Sequence, residues 1–393
     1  MSPSATSANP VSSQARVWAQ APFDTMSSWG AGWAGYVASA LRSRRTTPLT
    51  LAEDAAEWWR AATVRMPPTW QSRHRVARSW PQARLLDFDG GPSRSGTPIL
   101  VLPPQAGHAS TIVDYSAGQS QVQTARSASQ RRVYALDWLP ATDDTADSTI
   151  EDYIAILDDT VAELGDRVHL AGDCQGGWLA AIYAALRPDS VASLALGGAP
   201  IDFHAGSSAI QDWMGCLAPN GDLGVYRGLV DSGGGKHLGI NQIRGFKMLE
   251  PVAEFDRLSL LWSNIHDADY VQRHIDFTNW FEWGQDIPGA FYLWIIEHLF
   301  MNNELVHGTL EVDGTTVDLG RITAPLFLLA GTTDHVTPEA QAFAIAHYAS
   351  TPSSDVHTYL VEAGHLGLFM GRAALAGPWT EIFRQMAALD QES

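Results

Sequence analysis

The hexapeptide GDCQGG at positions 172–177 constrains the fold of this chain more than any other feature. It follows a short apolar run, Val168–Ala171, and precedes an apolar stretch with helical character. A nucleophile with glycine two positions to either side, where a strand turns sharply into a helix, is typical of a nucleophile elbow, because the turn brings backbones close together. The pattern predicts Cys174 as a nucleophile. The alternative is a buried structural cysteine in a Gly-rich turn; Cys216, which has no such setting, is expected to be structural or incidental.

Short apolar runs alternate with helical stretches from about Gly96 onward, which indicates βαβ units in a mostly parallel sheet and an α/β fold class. We expect helices at Ile150–Leu164, Gly176–Leu186 and Pro338–Tyr348. The predicted strands are Pro98–Leu102, Arg132–Asp137, Val168–Ala171, Val191–Leu196, Pro325–Ala330 and Val356–Val361.

The chain divides into four predicted parts. Residues 1–22 are rich in Ser, Ala and Pro and lack the apolar core of a secretory signal, so we expect a disordered tail. Residues 23–90 form an N-terminal helical region. The α/β core comprises residues 91–202 and 319–393. Between them, residues 203–318 lose the alternation of strand and helix, which predicts a largely helical cap that would form one wall of the site.

The N-terminal helical region shows apolar residues at helical spacing. Trp29, Trp33, Val37 and Leu41 recur every four residues, and a second segment contains Trp58 and Trp59. An amphipathic helical pair is predicted. It either packs against the catalytic domain or contacts a partner chain or an apolar polymer surface.

Charge and cysteine usage exclude several classes of protein. The chain carries 43 acidic residues against 25 Lys plus Arg, a formal charge of −18, which argues against a surface that wraps nucleic acid. Two cysteines are too few for a disulfide framework, so a reducing compartment is expected. The longest apolar run, around Ala290–Met301, is interrupted by Glu297 and His298 and is shorter than the about 20 residues needed to cross a bilayer. We therefore expect a soluble, cytoplasmic protein.

A cysteine nucleophile needs a base and a residue that orients the base. Asp334 lies just beyond the apolar strand that ends at Ala330, and His365 follows the last predicted strand. This order of nucleophile, acid and histidine is that of the α/β-hydrolases, and both loops lie where an open α/β sheet places its site. His335 is the rival base, although it lies beside the acid on the same loop.

The oxyanion hole is expected to consist of backbone N–H groups, one of them from Gln175. The two leading prolines of the loop at 103–108 carry no N–H, so the second donor should come from the residues Gln105 to His108. We name Ala106 and Gly107 as candidates, and the choice within the loop is open. The tryptophans Trp178, Trp283 and Trp294 are expected to line the substrate pocket, with packing in the core as the alternative. We expect no metal and no bound cofactor.

These motifs resemble those of the polyhydroxyalkanoate synthases and their relatives, the intracellular polyhydroxyalkanoate depolymerases. The likeness spans roughly Thr97–Arg372 and includes the lipase-like box with cysteine, the GTTDHVTP loop and the GHLG loop. The segments IVDYS at 112–116, DYI at 152–154, IPG at 287–289, NEL at 303–305 and VDL at 317–319 are similar to the synthases. The Gly-His pair at 107–108 and the segment at 364–372 are similar to the depolymerases.

The resemblance implies an α/β-hydrolase fold and an acyltransferase in which Cys174 carries the acyl group, His365 is the base and Asp334 is the orienting acid. Coenzyme A enters only as part of the 3-hydroxyacyl substrate or as the leaving group. The implied partners are a polyester chain, a polymer granule surface, and a homodimer partner or partner subunit. The alternative is a depolymerase or thioesterase with water as acceptor. A third interpretation is a granule-associated binding protein with an inactive hydrolase fold, against which the intact Cys, Asp and His set argues.

Overall fold

The computed structural model of the chain describes residues 10–89, 94–249 and 252–390, with only the backbone of residues 10–19. Contacts divide the chain into two compact units. One unit comprises the residues up to Pro68 together with Ile240–Trp283, and the other comprises Thr69–Gly239 together with the residues from Gly284 onward.

An eight-stranded sheet forms the centre of the second unit. Its strands are β1 (Arg75–Ser79), β2 (Ala83–Asp87), β3 (Ile99–Leu102), β4 (Val133–Trp138), β5 (Val168–Asp173), β6 (Val191–Gly197), β7 (Leu326–Gly331) and β8 (Val356–Val361). Their order across the sheet is β1-β2-β4-β3-β5-β6-β7-β8. Strand β2 is antiparallel to both of its neighbours, and every other pair is parallel. The predicted α/β-hydrolase fold with a mostly parallel sheet is confirmed.

The helices fall into two groups along the chain. The first group is α1 (Pro10–Ser43), α2 (Pro48–Thr63), α3 (Gln121–Ser129), α4 (Ile150–Leu164), α5 (Gln175–Leu186), α6 (Ala209–Leu217), α7 (Gly224–Ser232), α8 (Gly239–Leu249), α9 (Ala253–Ser263) and α10 (Ala268–Phe281). The second group is α11 (Gly289–Trp294), continued by a π-helical segment (Ile295–Met301), α12 (Glu304–His307), α13 (Glu339–Ala342), α14 (Ile345–Tyr348), α15 (Gly367–Met370), α16 (Arg372–Ala374), a second π-helical segment (Leu375–Trp379) and α17 (Thr380–Leu389).

Single turns of 3-10 helix and two-stranded ribbons complete the described secondary structure. The turns are Ser110–Val113, Asp143–Thr145, Pro188–Ser190, Pro219–Gly221, Leu319–Arg321 and Ser353–Asp355. The ribbons pair Asp114–Ser116 with Gln119–Ser120, Lys236–His237 with Ile287–Pro288, and Glu311–Val312 with Thr315–Thr316.

All six strands predicted from the sequence are present, and two further strands of the central sheet, together with the strands of the three short ribbons, were missed. Residues 23–90 were predicted to form an N-terminal helical region, but β1 and β2 form an antiparallel hairpin within it, so the α/β unit begins near Thr69 and not at residue 91. Strand β1 lies at the sheet edge with most of its side chains exposed, and its sequence RVARS therefore lacks the apolar run that marks a buried strand. The predicted helix Pro338–Tyr348 is divided into α13 and α14.

Helix α5 lies in the centre of the α/β unit. All twelve of its residues are buried, as expected for a helix that is apolar on every side. Trp138 and Tyr153 are also fully buried in this core, with ring centroids 5.4 Å apart, and Tyr153 stacks on Phe291 at 4.1 Å. These contacts pack β4, α4 and α11 against one another.

The other unit is built from α1, α2, nearly all of α8, α9, α10 and their connections. Tyr36 of α1 stacks on Trp262 of α9 with centroids 4.1 Å apart, and Trp58 of α2 donates a hydrogen bond to the carbonyl of Leu258 at 3.0 Å. The buried carboxylate of Asp54 accepts hydrogen bonds from the Tyr36 hydroxyl at 3.0 Å and from the Arg45 guanidinium at 3.0 Å. The unit therefore has an apolar core of its own and a polar cluster in which the Asp54 carboxylate is hydrogen-bonded.

Two predicted boundaries differ from the structure. The predicted tail at 1–22 extends too far, because α1 begins at Pro10; residues 1–9 lie outside the described part of the chain. The predicted cap at 203–318 is not one body, because only Ile240–Trp283 separates from the α/β unit. The reason is packing: α9 and α10 bury Leu261, Trp262 and Val271 in a core shared with α1 and α2.

Candidate active site

Cys174 connects β5 to α5 in a strained backbone conformation. Its φ of +48° and ψ of −114° are unfavourable for a residue with a side chain, and such strain is concentrated at functional sites. The conformation is held by hydrogen bonds: the N–H of Cys174 donates to the carbonyl of Gly197 at 2.8 Å, and its carbonyl accepts from the N–H of Gly177 at 3.0 Å. The turn from strand to helix is the predicted nucleophile elbow.

The glycines of the hexapeptide are required by close backbone contacts. A Cβ on Gly172 would lie 2.5 Å from the carbonyl oxygen of Gly176, and a Cβ on Gly176 would overlap the carbonyl oxygen of Leu102. A Cβ on Gly177 would overlap Ala199. The structure thus supports the physical reason given for these glycines: the elbow, the end of β3 and the segment after β6 meet with no room for side chains.

Asp334 lies in the turn after β7 and is buried. Its Oδ1 accepts hydrogen bonds from the N–H groups of Val336 and Thr337, each at 2.9 Å, and its Oδ2 lies 2.7 Å from Nδ1 of His365. These bonds fix the orientation of the carboxylate. The rival base, His335, is exposed on the same loop, whereas the structure pairs the carboxylate with His365.

His365 lies after β8 and contacts both of its predicted partners. Its ring lies beside the side chain of Cys174, close enough for the two groups to interact, and since Nδ1 faces Asp334, Nε2 is the nitrogen available to the thiol. Burial opposes a charge on the imidazole, but the charges that Cys174 and Asp334 can carry, with their hydrogen bonds, raise the pKa of His365 from 6.5 to about 10. Phe369 packs edge-on against the ring at 5.1 Å. The structure therefore brings Cys174, His365 and Asp334 together in the predicted order.

Gln175, the first of the predicted oxyanion donors, lies at the elbow. Gln175 is the first residue of α5, where N–H groups have no partner within the helix. The loop at 103–108 starts beside it, because the carbonyls of Leu102 and Pro103 lie against Gly176. Within the loop, Gly107 has a φ of +81°, and its carbonyl accepts from the N–H of Gln285 at 2.9 Å. The choice between Ala106 and Gly107 as the second donor stays a prediction.

Two polar side chains next to the nucleophile were not considered in the sequence analysis. Asp173 is fully buried, and Gln121 donates to its Oδ1 at 3.3 Å, while its Oδ2 has no partner among the described residues. Burial raises the pKa of Asp173 well above its ordinary value, which favours the neutral form of this carboxyl. The side chain of Gln175 is also buried, and its Nε2 lacks a hydrogen-bond partner among the described residues. Their positions directly before and after Cys174 are the sequence signal that could have identified them.

The three predicted substrate tryptophans have different surroundings. Trp178 is only 2 % exposed and lies among core aromatics, with its ring centroid 6.2 Å from Phe291 and 6.2 Å from Trp294. The assignment of Trp178 to a pocket wall is therefore corrected to a core position, because α5 is buried on every side. Trp294 is partly buried and lies beside Trp178. Trp283 is 38 % exposed and belongs to the other compact unit, as its last residue. A role for Trp283 and Trp294 in substrate binding stays a prediction.

Within the described ranges, no three or more His, Cys, Asp or Glu side chains are grouped so that they could hold a metal ion. Among the helices that the structure describes, none combines the length and apolar character that crossing a membrane requires.

Two polymerase subunits are similar to this chain in sequence. The chain is 26% identical over 333 residues to the poly(3-hydroxyalkanoate) polymerase subunit PhaC of Haloferax mediterranei, a match that covers 82% of this chain and 65% of that protein. It is 26% identical over 259 residues to the subunit of the same name from Haloarcula marismortui, covering 64% of this chain and 52% of that protein. The chain thus spans about half to two thirds of the length of these relatives. They confirm the resemblance to the polyhydroxyalkanoate synthases.

A monoacylglycerol lipase from Paleococcus ferrophilus is a solved structure that aligns with the chain at a TM-score of 0.46 and 18% identity, covering 75% of this chain and 96% of that chain. A family model described as "Protein of unknown function (DUF3141)" matches residues 82–391, which is most of the chain. The chain belongs to this family.

Proposed function

We propose that this chain is a polyhydroxyalkanoate synthase-like acyltransferase that forms a Cys174-acyl intermediate from a 3-hydroxyacyl-coenzyme A and elongates a polyester. The observation that carries the proposal is the position of His365, whose ring contacts Cys174 and lies 2.7 Å from the Asp334 carboxylate. The similarity to PhaC polymerase subunits supports the choice of substrate class. We expect the reaction to take place in the cytoplasm at the surface of polymer granules.

In the first step, Cys174 accepts the acyl group. The raised pKa of His365 holds the shared proton on the imidazole, which leaves the sulfur of Cys174 as the nucleophile. The sulfur attacks the thioester carbonyl carbon, and the negative charge on the carbonyl oxygen is stabilised by the N–H of Gln175 and a donor from the 103–108 loop. The carbon–sulfur bond to coenzyme A breaks, and the departing thiolate takes the proton from His365.

In the second step, the hydroxyl end of the growing polyester accepts the acyl group. His365 is now neutral and removes the hydroxyl proton while the oxygen attacks the Cys174 thioester. A new ester bond forms, the carbon–sulfur bond to Cys174 breaks, and the sulfur is again paired with a protonated His365. Because thiol and thioester exchange acyl groups with little change in free energy, a cysteine suits repeated transfer.

Incubation of the purified chain with 3-hydroxybutyryl-coenzyme A tests the proposal. We expect release of coenzyme A together with insoluble polymer or oligomers, and loss of both with Cys174→Ala. The matched control is Cys216→Ala, since Cys216 is exposed on α6. Release of coenzyme A in step with free 3-hydroxy acid, without polymer or oligomer, would overturn the synthase proposal and leave a hydrolase that uses the same three side chains with water.

A further inference from the structure

Trp379 is a fully buried tryptophan to which the proposed mechanism assigns no role. It is the last residue of the second π-helical segment and lies directly before α17. Its ring stacks on Phe383 of α17, with centroids 5.3 Å apart and an angle of 21° between the planes. Because a buried indole N–H requires a hydrogen-bond acceptor, the acceptor shows which part of the chain this side chain holds.

The indole N–H of Trp379 holds the segment that carries His365. Its Nε1 donates a hydrogen bond to the carbonyl oxygen of Leu368 at 2.8 Å. Leu368 lies three residues after His365, and its own N–H donates to the carbonyl of His365 at 3.1 Å. Since both bonds belong to one turn of the chain, a displacement of Leu368 also displaces the backbone of His365.

The ring of Trp379 lies against the backbone that holds Cys174. A Cβ on Gly197, the last residue of β6, would lie 2.7 Å from Cζ2 of Trp379. The carbonyl of Gly197 accepts the hydrogen bond from the N–H of Cys174 at 2.8 Å, which helps to hold the strained turn of the elbow. The indole therefore packs on the residue that fixes the backbone of the nucleophile.

The next residue, Gly198, lies where the segments of the nucleophile and the base meet. A Cβ there would lie 2.8 Å from Cδ1 of Leu368 and 3.3 Å from Cε1 of His365. The small size of Gly198 thus permits the end of β6 and the segment after β8 to approach closely. The separation of these two segments sets the separation of Cys174 and His365.

We propose that Trp379 is a positioning residue that fixes the separation of Cys174 and His365. One side chain bonds the segment of the base and packs on the residue that holds the nucleophile, so it couples the two. Pro378 has no N–H to donate, and the helix widens there into the π-helical segment that ends at Trp379. Such segments are frequent at functional sites. The inference rests on the Cys174–His365 pair of the proposed function, but not on its substrate or acceptor.

Alkylation of Cys174 by iodoacetamide tests this proposal without any substrate. The reagent captures the sulfur once His365 has taken its proton, so the rate at pH 7 depends on the geometry of the pair. Trp379→Phe removes the indole N–H and keeps an aromatic ring. It should lower the rate by about tenfold or more, because small misplacements of reacting groups are costly. The exposed Cys216, followed by mass spectrometry in the same sample, should react at an unchanged rate.

Trp58→Phe is the matched control variant. Trp58 also donates its indole N–H to a backbone carbonyl, that of Leu258 at 3.0 Å, but it belongs to the other compact unit. Its replacement should leave the alkylation of Cys174 unchanged. If Trp379→Phe does not fold, Phe383→Leu serves in its place: it keeps the indole N–H, removes the stacked ring and should lower the rate by a smaller factor.

Nitrogen NMR of the imidazoles gives a second readout that a general loss of stability would not move. The signal of His365, assigned by its absence in His365→Gln, should shift in Trp379→Phe. A folded Trp379→Phe chain with unchanged alkylation and an unchanged His365 signal would show that Trp379 is only a core residue. Equal slowing by Trp58→Phe would also overturn the proposal. If Trp379→Phe slows alkylation while the wild type makes free 3-hydroxy acid and no polymer, the positioning role stands and the synthase proposal fails.

Discussion

Nδ1 of His365 lies 2.7 Å from Oδ2 of Asp334, although the two residues are 31 positions apart in the chain. The pairing arises because β7 and β8 are parallel neighbours, so the loops after them meet at the same sheet edge. Since Asp334 is held by two backbone N–H groups, its carboxylate can orient the imidazole toward Cys174 without moving.

Asp334→Asn should lower kcat by about 10² to 10⁴-fold, because the amide cannot stabilise the imidazolium and favours the wrong tautomer of His365. Steady-state release of coenzyme A measures the effect. His335→Gln is the control, since His335 is exposed on the same loop. A larger loss with His335→Gln than with Asp334→Asn would show that the acid and base were assigned wrongly.

Cys174→Ala should abolish acyl transfer, whereas Cys216→Ala should retain most of it. Only Cys174 lies on the strained turn beside His365, while Cys216 is exposed on α6. Mass spectrometry after brief incubation with substrate should find an acyl adduct on the peptide that contains Cys174. An adduct on Cys216 and equal activity losses would contradict the assignment.

The raised pKa of His365 predicts a specific dependence of stability on pH. A histidine with a pKa of about 10 in the folded chain and about 6.5 when unfolded contributes stability that is fully present below pH 6.5. This contribution is lost as the pH rises through about 10. The free energy of unfolding in urea should therefore fall between pH 6 and pH 10 by more in the wild type than in His365→Gln, with a difference on the order of a few kcal/mol. If the free energy of unfolding of the two proteins depended equally on pH, the raised pKa of His365 would be contradicted.

Asp173→Asn should stabilise the protein at pH 7. Because burial raises the pKa of Asp173, the folded chain keeps the proton of this carboxyl to a higher pH than the unfolded chain does. The resulting cost in stability is absent well below the unfolded pKa of about 3.9 and grows as the pH rises above it. Asparagine removes this cost and keeps the oxygen that accepts the hydrogen bond from Gln121. Thermal unfolding should show a higher Tm for the variant at pH 7 and a similar Tm at pH 4. A variant less stable at pH 7 would contradict a neutral Asp173.

Gly176→Ala should destabilise the protein by about 2 kcal/mol or more, because the new methyl group would overlap the backbone of β3. Gly228→Ala is the matched control. Gly228 lies inside α7, and a Cβ there meets nothing within 4 Å, so the substitution should stabilise by about 0.5–1 kcal/mol. Urea unfolding compares the two, and equal effects would mean that the close contact at the elbow is absent in solution.

The sequence by itself determined the elements of the candidate site, since their signals are local. The GDCQGG turn, the buried strands and the loops that contain Asp334 and His365 are each recognisable within about ten residues. Their meeting follows from the rule that parallel strands end at one sheet edge. The sequence analysis missed two strands of the central sheet, β1 and β2, which shows that local signals do not identify every strand. Strand β1 is mostly exposed, so its residues carry no apolar run.

Only the tertiary structure decided which elements share a core and how the buried groups are charged. The sequence of α9 does not reveal that Ser259 will lie against Gly32, because that contact joins segments far apart in the chain. Trp178 is a core residue and not a pocket wall because the neighbours of α5 cover every side of it. The raised pKa values of Asp173 and His365 likewise depend on burial and on the groups around them, since the free energy of a charge is set by its surroundings and not by residue type alone.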